Sequence, residues 1–453
     1  MTVDPASTLA AHVCAIGFDD LPDATITATK RDILDTFGCM LGGSAAPGIA
    51  TLLKLAAHRG GREEAGVLLH GLRLPAPEAA LINAAMGHAL DYDDTLDHGG
   101  SIHPGVAVLA ASLAAAELRG ATGRDLVLAV ALGLDVSCRI ALAATVDRGW
   151  HRTAAIGVFG ATAAAGKLIG LDAARMEHAL GIALSLASGS RQCIVDGALT
   201  KRLQAGQAAR DGVFSALLAA DGFTGTTGTF AGRFGFFALY QPGGYDLVPL
   251  TDEIGQAFRG DEVSFKPYPC GRPLHALLDA AIHARGELGI KRGDDVATAT
   301  VTLDPAICRE QFEDGPHRAR PTQIVEAQFA LPFLTAIALL RGRVAIEDLS
   351  RLDDPEVLAL AARISGRAAA DNRPRDWAHL NVSHSDGREV ARETDIPLGS
   401  PQRPLSDGQL EAKFRDCAAN ATRILSPPAI ASLLADLSAA DGLPKAGRLL
   451  AVP

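Results

Sequence analysis

Apolar residues recur at helical spacing from the start of the chain to about residue 260, in alanine-rich stretches that glycine, proline and aspartate interrupt. Apolar positions three and four residues apart form one face of a helix, so this spacing predicts helices, whereas strand-like alternation is nearly absent. Asp172 has the position of an N-cap, and Gly120, Gly170 and Gly222 have those of C-terminal stops. The predicted helices cover residues 7–17, 25–42, 76–92, 104–119, 123–144, 153–169, 173–188 and 203–220.

The pattern changes after Phe265, where prolines and glycine interrupt the chain and β-branched residues then alternate over 296–303. Ser385-Asp386-Gly387 is a hairpin turn signal between the short strand-like runs 379–382 and 389–393. Helical spacing recurs at 325–340 and 354–364, and again at 406–420. We therefore predict a mainly α protein, with a large all-helical domain over 1–265 and 400–453 and a smaller α+β domain over 266–399.

Composition changes this picture little. A chain of 453 residues is long enough for two or more domains, and its 48% hydrophobic and 21% charged residues are typical of a soluble globular protein. The net charge of −10 argues against a nucleic-acid partner. It does not exclude an anionic substrate, because a local cluster of Arg, Lys and His can outweigh the global balance.

Cysteine use and the apolar segments predict a cytoplasmic protein without a membrane partner. The seven cysteines are scattered and form no CxxC pair, which is typical of a reducing compartment. The N-terminal residues contain an acid and no basic segment, so we expect no signal peptide. Asp135 and Arg139 interrupt one of the most apolar stretches before it reaches the length of a membrane span, and Lys167 interrupts another.

Ionisable residues concentrate in residues 83–104, which are otherwise mostly Ala, Leu and Gly. Burying so many ionisable groups is costly unless they pair or bind a ligand, so this stretch predicts a functional pocket. On a continuous helix His88, Asp91 and Thr95 would share a face, and Asp93 and Asp94 would point elsewhere. The alternative is an acidic helix end facing water, which the helix dipole disfavours. We predict that Asp91 orients or charges a neighbouring base.

The other candidate residues are basic. His103 precedes Pro104 near a helix start, where an imidazole can act as a general base or acid beside amides that suit a carboxylate. His151 is predicted to give a proton to a leaving group. Lys201, if it points inward, supplies positive charge to an enolate-like transition state, whereas a solvated charge is the alternative. The remaining candidates are carboxylate-binding side chains, Arg152, Lys266 and Arg272, of which the last two would act as a domain closes.

Other chemistries have little support. Cys270 and His275 are five residues apart across a proline, a spacing that defines no nucleophile–base geometry. The glycine-rich run 225–235 contains neither GxGxxG nor a Walker lysine, so nucleotide binding is not expected. No metal-ligand spacing is present. We expect no cofactor and no metal.

These motifs, in their order and spacing, resemble the MmgE/PrpD family over nearly the whole chain. The matching segments are Asn83, His88-Ala-Leu-Asp91-Tyr-Asp-Asp-Thr95, His103-Pro104, Gly149-Trp150-His151-Arg-Thr153, Thr200-Lys201-Arg202-Leu, Asp221-Gly222-Phe223, Lys266-Pro-Tyr-Pro-Cys270 with His275, and Glu326-Ala-Gln-Phe329. The resemblance implies a helical domain with an α+β lid, an active site between them, and a homodimer. It also implies metal- and cofactor-independent chemistry on di- or tricarboxylates, beginning with proton transfer at carbon next to a carboxylate. The positions it places in the pocket are Asp91, Thr95, His103, His151, Lys201 and Lys266.

One departure from the family pattern bears on the reaction. In the decarboxylase branch a histidine follows five residues after the lysine that matches Lys266, and this chain has Gly271 there. His275 is retained and resembles the dehydratase-like and epimerase-like branches, so it is predicted to bind substrate. The loop 96–102 is longer than in some relatives, which implies a different substrate shape.

The expected function is thus a lyase of the hydratase/dehydratase type on a small polycarboxylate. His103 with Asp91 would exchange the α-proton, His151 would serve the hydroxyl, and Lys201 would hold developing charge. Carboxylates would be bound by the side chains Thr95, Arg152, Lys266, Arg272 and His275. An epimerase acting on an (amino)dicarboxylate and a non-catalytic carboxylate-binding homologue are the alternatives.

Overall fold

A computed structural model describes residues 4–97, 102–313, 318–371, 373 and 376–452. The chain is mainly helical, as predicted. The helices are α1 Pro5–Ala15, α2 Asp23–Gly43, α3 Ile49–Arg59, α4 Ala76–Gly87, α5 Pro104–Arg119, α6 Gly123–Ala143, α7 Arg152–Ala155, α8 Gly157–Ile169, α9 Ala173–Leu186, α10 Gln192–Val195, α11 Thr200–Ala220, α12 Phe236–Tyr240, α13 His275–Leu288, α14 Pro305–Phe312, α15 Ile324–Ala327, α16 Leu331–Arg341, α17 Pro355–Ala361, α18 Asp407–Ala419 and α19 Pro427–Ser438. The strands are β1 Ala65–Val67, β2 Leu72–Leu74, β3 Val296–Leu303, β4 Ile364–Ala368, β5 Ala378–His384 and β6 Glu389–Thr394.

Local capping signals set many of these bounds. The Asp172 carboxylate accepts the Arg175 amide at the start of α9, which confirms the predicted N-cap. Gly120 and Gly170 end α5 and α8 in the left-handed conformation, at φ of 64° and 84°. These helix ends depend on neighbouring residues only, which is why the sequence predicts them.

Two hydrophobic cores divide the chain. The larger core is built from helices before Phe265 together with residues after Leu405, and the smaller one from residues between Tyr268 and Val382. The predicted domain bounds, and movement of the smaller part as a lid, stay predictions.

The smaller core is formed by α13 and α16 packed near a four-stranded sheet of order β4-β3-β5-β6. β3 pairs antiparallel with β5, with Val301 opposite Leu380, and parallel with β4, with Ala299 opposite Ile364. β3 has its predicted bounds. β4 was not predicted, because its pairing with β3 decides its structure, and local pattern had extended the preceding helix to residue 364.

Small residues let the central helices approach closely. A Cβ added to Gly160 of α8 would lie 2.5 Å from the carbonyl oxygen of Gly133 in α6. One added to Gly212 of α11 would lie 2.5 Å from the Ala161 side chain in α8. Larger residues would separate these helices. Close packing therefore holds α11, whose first turn contains Lys201, against the rest of the larger core.

Within the described ranges, α6 is long and apolar enough to cross a membrane by length and composition. Its most apolar window is 94% buried by the surrounding protein, which is the environment of a core helix. Asp135 and Arg139, the two charges that interrupt it, pair with each other at 2.8 Å.

Candidate active site

A half-enclosed cavity of about 410 Å³ is lined by residues of both hydrophobic cores. Most of the predicted site residues converge on it from distant parts of the chain. Those that line it are Asp91, Thr95, His103, His151, Arg152, Lys201 and Arg272. Further lining residues include Asp97, Asp147, Trp150, Arg191, Gly271, Glu310, Gln311 and Phe329.

Asp91 does not lie on a helix, contrary to the prediction. α4 ends at Gly87, and Asp91 has a left-handed backbone with φ of 53°. Such a backbone is costly for a residue other than glycine unless its surroundings hold it. The Lys266 ammonium does so by donating to both the carbonyl oxygen and Oδ2 of Asp91, each at 2.9 Å.

A second ammonium group holds the other oxygen of Asp91. Lys201 Nζ lies 2.6 Å from Asp91 Oδ1, and the carboxylate is only 2% exposed. Burial alone would raise the pKa of Asp91, but Lys201 and Lys266 outweigh it and hold that pKa well below its usual range. Asp91 is therefore a fixed anion that positions cations.

Lys266 and His275 do not reach the cavity, contrary to their predicted substrate contacts. Lys266 is fully buried behind Asp91, and a bridge between Thr95 and Ser264 places it there, with mutual backbone bonds of 2.9 and 2.7 Å. His275 is fully buried too, with Nε2 3.2 Å from the Cys270 carbonyl and Nδ1 3.4 Å from the Arg272 guanidinium. Sequence position alone does not tell which residues of a turn face a cavity and which support it.

His103 occupies the N-cap position of α5, and its ring faces the cavity. Its Nδ1 bonds to the backbone carbonyl of Asp94, and a carbonyl can only accept, so Nδ1 carries the hydrogen and Nε2 keeps a lone pair. Burial first, and then the charge of Lys266, lowers the pKa of His103 to about 3. His103 is thus neutral near pH 7, in the tautomer that a general base needs.

Thr153 lies inside α7 and supports His103. The backbone amide of His103 donates to Thr153 Oγ1 at 3.2 Å. His151 is the N-cap residue of α7, so Thr153 is the second residue inside that helix. Its hydroxyl fixes the backbone of the candidate base.

His151 is likewise held in one tautomer. Gln204 accepts the Ser190 amide at Oε1 and donates through Nε2 to the Ser190 carbonyl, both at 3.2 Å, which fixes the orientation of its own amide. The same Oε1 lies 2.9 Å from His151 Nδ1, so Nδ1 donates and Nε2 keeps a lone pair. Burial, together with the charge of Lys201, lowers the pKa of His151 well below its usual range. At rest His151 is therefore an acceptor, whereas the sequence had predicted a proton donor.

Behind the cavity wall lies a connected set of buried groups that we call the charge chain: Lys266, Asp91, Lys201, His88 and Asp93. Lys201 Nζ lies 2.9 Å from His88 Nε2, and His88 Nδ1 lies 2.6 Å from Asp93 Oδ2. All five side chains are at most 4% exposed. The sequence had placed Asp93 away from this face, because it assumed that α4 continues.

Asp94 is the second acid that the prediction misplaced. It is fully buried, and its carboxylate accepts the Gly105 amide in the first turn of α5 at 3.0 and 3.1 Å. Burial, and then the neighbouring carboxyl groups of Asp32 and Asp93, raise its pKa well above the usual range. Asp94 anchors the helix start that presents His103.

Three arginines complete the cavity wall. Arg272 donates to Asp97 from Nε and NH2, each at 3.0 Å, and Arg152 donates to the Val146 carbonyl at 2.7 Å. Arg191 pairs with Asp147 and is the most exposed of the three, with 37% of its side chain accessible. Guanidinium groups bind carboxylates well.

The loop that was predicted to shape the substrate, 96–102, lies mostly outside the described residues. At the two ends of this loop, the Leu96 amide donates a hydrogen bond to the Ile102 carbonyl oxygen at 2.9 Å. Within the described part of the chain no group of three or more His, Cys, Asp or Glu side chains has an arrangement that could hold a metal ion.

Comparison with known proteins identifies the family. The model of the MmgE/PrpD N-terminal domain matches residues 7–247, and that of the C-terminal domain matches residues 268–425. The chain belongs to the MmgE/PrpD family. Its curated relatives include cis-aconitate decarboxylase of Homo sapiens, 28% identical over 91% of this chain and 87% of the relative. Cis-aconitate decarboxylase of Aspergillus terreus is 25% identical over 89% of this chain and 87% of the relative.

Several cavity residues of this MmgE/PrpD chain had no usable sequence signal. Gln204, Arg191 and Asp147 lie in stretches whose pattern is only helical or loop-like. His88 and Asp93 were noticed within the motif, but no role was assigned to them. Their contacts join residues far apart in the chain, such as His88 and Lys201, which are 113 positions apart.

Proposed function

We propose that this protein is a lyase acting on a small polycarboxylate, and that its reaction begins with proton exchange at the carbon next to a carboxylate. One observation carries the proposal: the neutral His103, with Nε2 available as an acceptor, faces the same cavity as the buried ammonium of Lys201. A base and a fixed cation are the two groups that this step requires.

Charge is the main obstacle to removing such a proton. The carbanion that forms next to a carboxylate delocalises into it, so the group approaches two negative charges. Lys201 Nζ, held by Asp91 at 2.6 Å, supplies a positive charge that needs no reorganisation during the reaction. The neighbouring arginines, Arg152 and Arg272, bind the remaining carboxylates.

For the finer reaction we propose hydration and dehydration. In the addition direction, the neutral Nε2 of His151 takes a proton from water as the C–O bond forms at the β-carbon. His103, which takes up a proton from solvent when the polyanionic substrate binds, gives it to the α-carbon. Dehydration reverses both transfers: neutral His103 takes the α-proton, and His151, protonated from solvent in the same way, gives its proton to the departing hydroxyl. Both imidazoles line the cavity.

Decarboxylation is the reaction named for the curated relatives, and position 271 is our reason for preferring C–O chemistry. The resemblance places a histidine there in the decarboxylase branch. In this chain a Cβ at Gly271 would lie 2.8 Å from the Phe329 ring, so the ring would have to move before any side chain could fit. Epimerisation is the second candidate, because His103 and His151 both present a neutral Nε2.

Incubation of the protein with citrate-like, aconitate-like and amino-dicarboxylate compounds in deuterated water, followed by NMR, tests the proposal. We expect an alkene and a hydroxy acid to interconvert, with deuterium entering the α-position. Deuterium with inverted configuration and no alkene would favour the epimerase, and loss of a carboxylate as CO2 would favour the decarboxylase. If His103→Ala left every turnover unchanged while a ligand still bound, the catalytic role of this site would be wrong.

A further inference from the structure

We propose that His88 is a positioning residue of this site, which directs the Lys201 ammonium toward the substrate. The expected effect on turnover rests on the proposed function. The geometry behind the proposal does not, because it concerns only buried protein groups.

The Asp93 carboxylate fixes the tautomer of His88. A carboxylate accepts hydrogen bonds, and Asp93 Oδ2 lies 2.6 Å from His88 Nδ1. The hydrogen is therefore on Nδ1, and Nε2 has a lone pair. The opposite tautomer would aim an N–H at the Lys201 ammonium and would leave Asp93 without its donor.

The Nε2 lone pair of His88 accepts one of the three hydrogens of Lys201, at 2.9 Å. Asp91 Oδ1 takes a second, at 2.6 Å. An ammonium is tetrahedral, so two fixed acceptors define the direction of the third hydrogen. Because Lys201 lines the cavity, we infer that this hydrogen points toward a bound ligand.

The setting of His88 supports this role over that of simple core filling. The ring is 1% exposed, and its centroid lies 5.1 Å from that of His103 and 5.3 Å from that of His151. Burial, and next the charge of Lys201, lower the pKa of His88 well below its usual range, so the ring stays an acceptor. A filler of the core would need neither a fixed tautomer nor two charged partners.

Two polar substitutions of His88 test the roles of its Nδ1 and Nε2 atoms separately. His88→Gln places an amide oxygen near the position of Nε2 and can still accept from Lys201. His88→Asn reaches only the position of Nδ1 and loses that contact. We expect the Gln variant to keep kcat within about fivefold, and the Asn variant to lose roughly 100-fold in kcat with KM changed less than about threefold, as expected of a misaligned catalytic group.

A readout without turnover keeps the inference separate from the proposed function. In protein labelled with nitrogen-15 lysine, a held ammonium exchanges slowly with water and gives an NMR signal, which Lys201→Arg assigns. We expect the signal in the wild type and in His88→Gln, and its loss in His88→Asn. If the wild type turns over no polycarboxylate, the proposed function fails, while this signal still decides the role of His88.

The inference is wrong if His88→Gln and His88→Asn both keep the kcat and the ammonium signal of the wild type. It is also wrong if both variants are well folded and lose kcat and the signal to the same extent. His12 provides the matched control, because it is a buried histidine 3.4 Å from Asp135 and outside the cavity lining. His12→Gln and His12→Asn should not differ in kcat. If thermal melting shows His88→Asn unfolded, Asp93→Asn replaces it: the amide permits the tautomer with hydrogen on Nε2, and the same two losses are expected.

Discussion

The two sides of the cavity differ in how their charges are held. On the side of the larger core, Asp91 and Lys201 belong to the charge chain, whose members pair with one another within the protein. On the side of the smaller core, the lining includes Gly271, Arg272 and Phe329, and Arg272 pairs with Asp97 at 3.0 Å. We infer that the first side carries the reaction and the second selects the substrate.

The largest effect that this comparison predicts is at His103. His103→Gln removes the base but keeps a polar side chain, so we expect kcat to fall roughly 10²–10⁴-fold, the usual contribution of a general base, with KM nearly unchanged. Steady-state kinetics on the substrate found by NMR measures this. A tenfold rise in KM at normal kcat would instead assign His103 to the selecting side.

Asp91→Asn tests how much the ion pairs of the charge chain contribute to the stability of the protein. It leaves two buried ammonium groups without their anion, and breaking a buried pair in this way typically costs about 3–5 kcal/mol of unfolding free energy. Urea unfolding gives the value. Asp147→Asn is the control, because its pair with Arg191 is partly exposed and should contribute less than about 1 kcal/mol.

Arg272→Lys tests whether the cavity side formed by the smaller core selects the substrate. Lysine keeps the charge but cannot donate through two nitrogens to Asp97, so its ammonium is poorly placed for a carboxylate. We expect KM to rise about tenfold while kcat changes less than about threefold. A loss confined to kcat would show that both sides take part in the chemistry and would remove the distinction.

The smallest effect expected is that of pH on stability, which distinguishes the buried imidazoles from surface ones. His88, His103, His151 and His275 all have folded-state pKa values below the unfolded value near 6.5, His103 at about 3. The unfolded chain therefore binds more protons below pH 6.5, so stability falls as the pH drops through this window. Each histidine should remove about 1 kcal/mol between pH 7 and 5.5.

Asp32 and Asp94 oppose this trend, because burial and neighbouring carboxyl groups raise their pKa values, that of Asp32 to about 8, and the folded state binds these protons more tightly than the unfolded chain does. The net loss should therefore be smaller than the four histidines alone would give. Urea unfolding at the two pH values measures it. His103→Gln should lose about 1 kcal/mol less than the wild type over this window, and an equal loss would show that the His103 ring is not held neutral.

Local features of the fold could be predicted from the sequence, and long-range pairings could not. The bounds of α5 and β3 follow from Pro104 and from a β-branched alternation, which act within a few residues. The motifs identified the site residues, but they could not predict in which direction each side chain points. The turn at Asp91 depends on Lys266, which is 175 positions away, and no local pattern indicates that contact. The same cause explains the misplaced Asp93 and the wrongly predicted cavity contact of His275.

The proposed chemistry requires that His103 lie in the cavity as a neutral base with its hydrogen on Nδ1. NMR of protein labelled with nitrogen-15 histidine measures tautomer and charge directly, and His103→Gln assigns the signal. We expect the neutral form with hydrogen on Nδ1 from pH 8 down to pH 5, because the pKa of His103 is lowered to about 3. An imidazolium at pH 7, or hydrogen on Nε2, would contradict it.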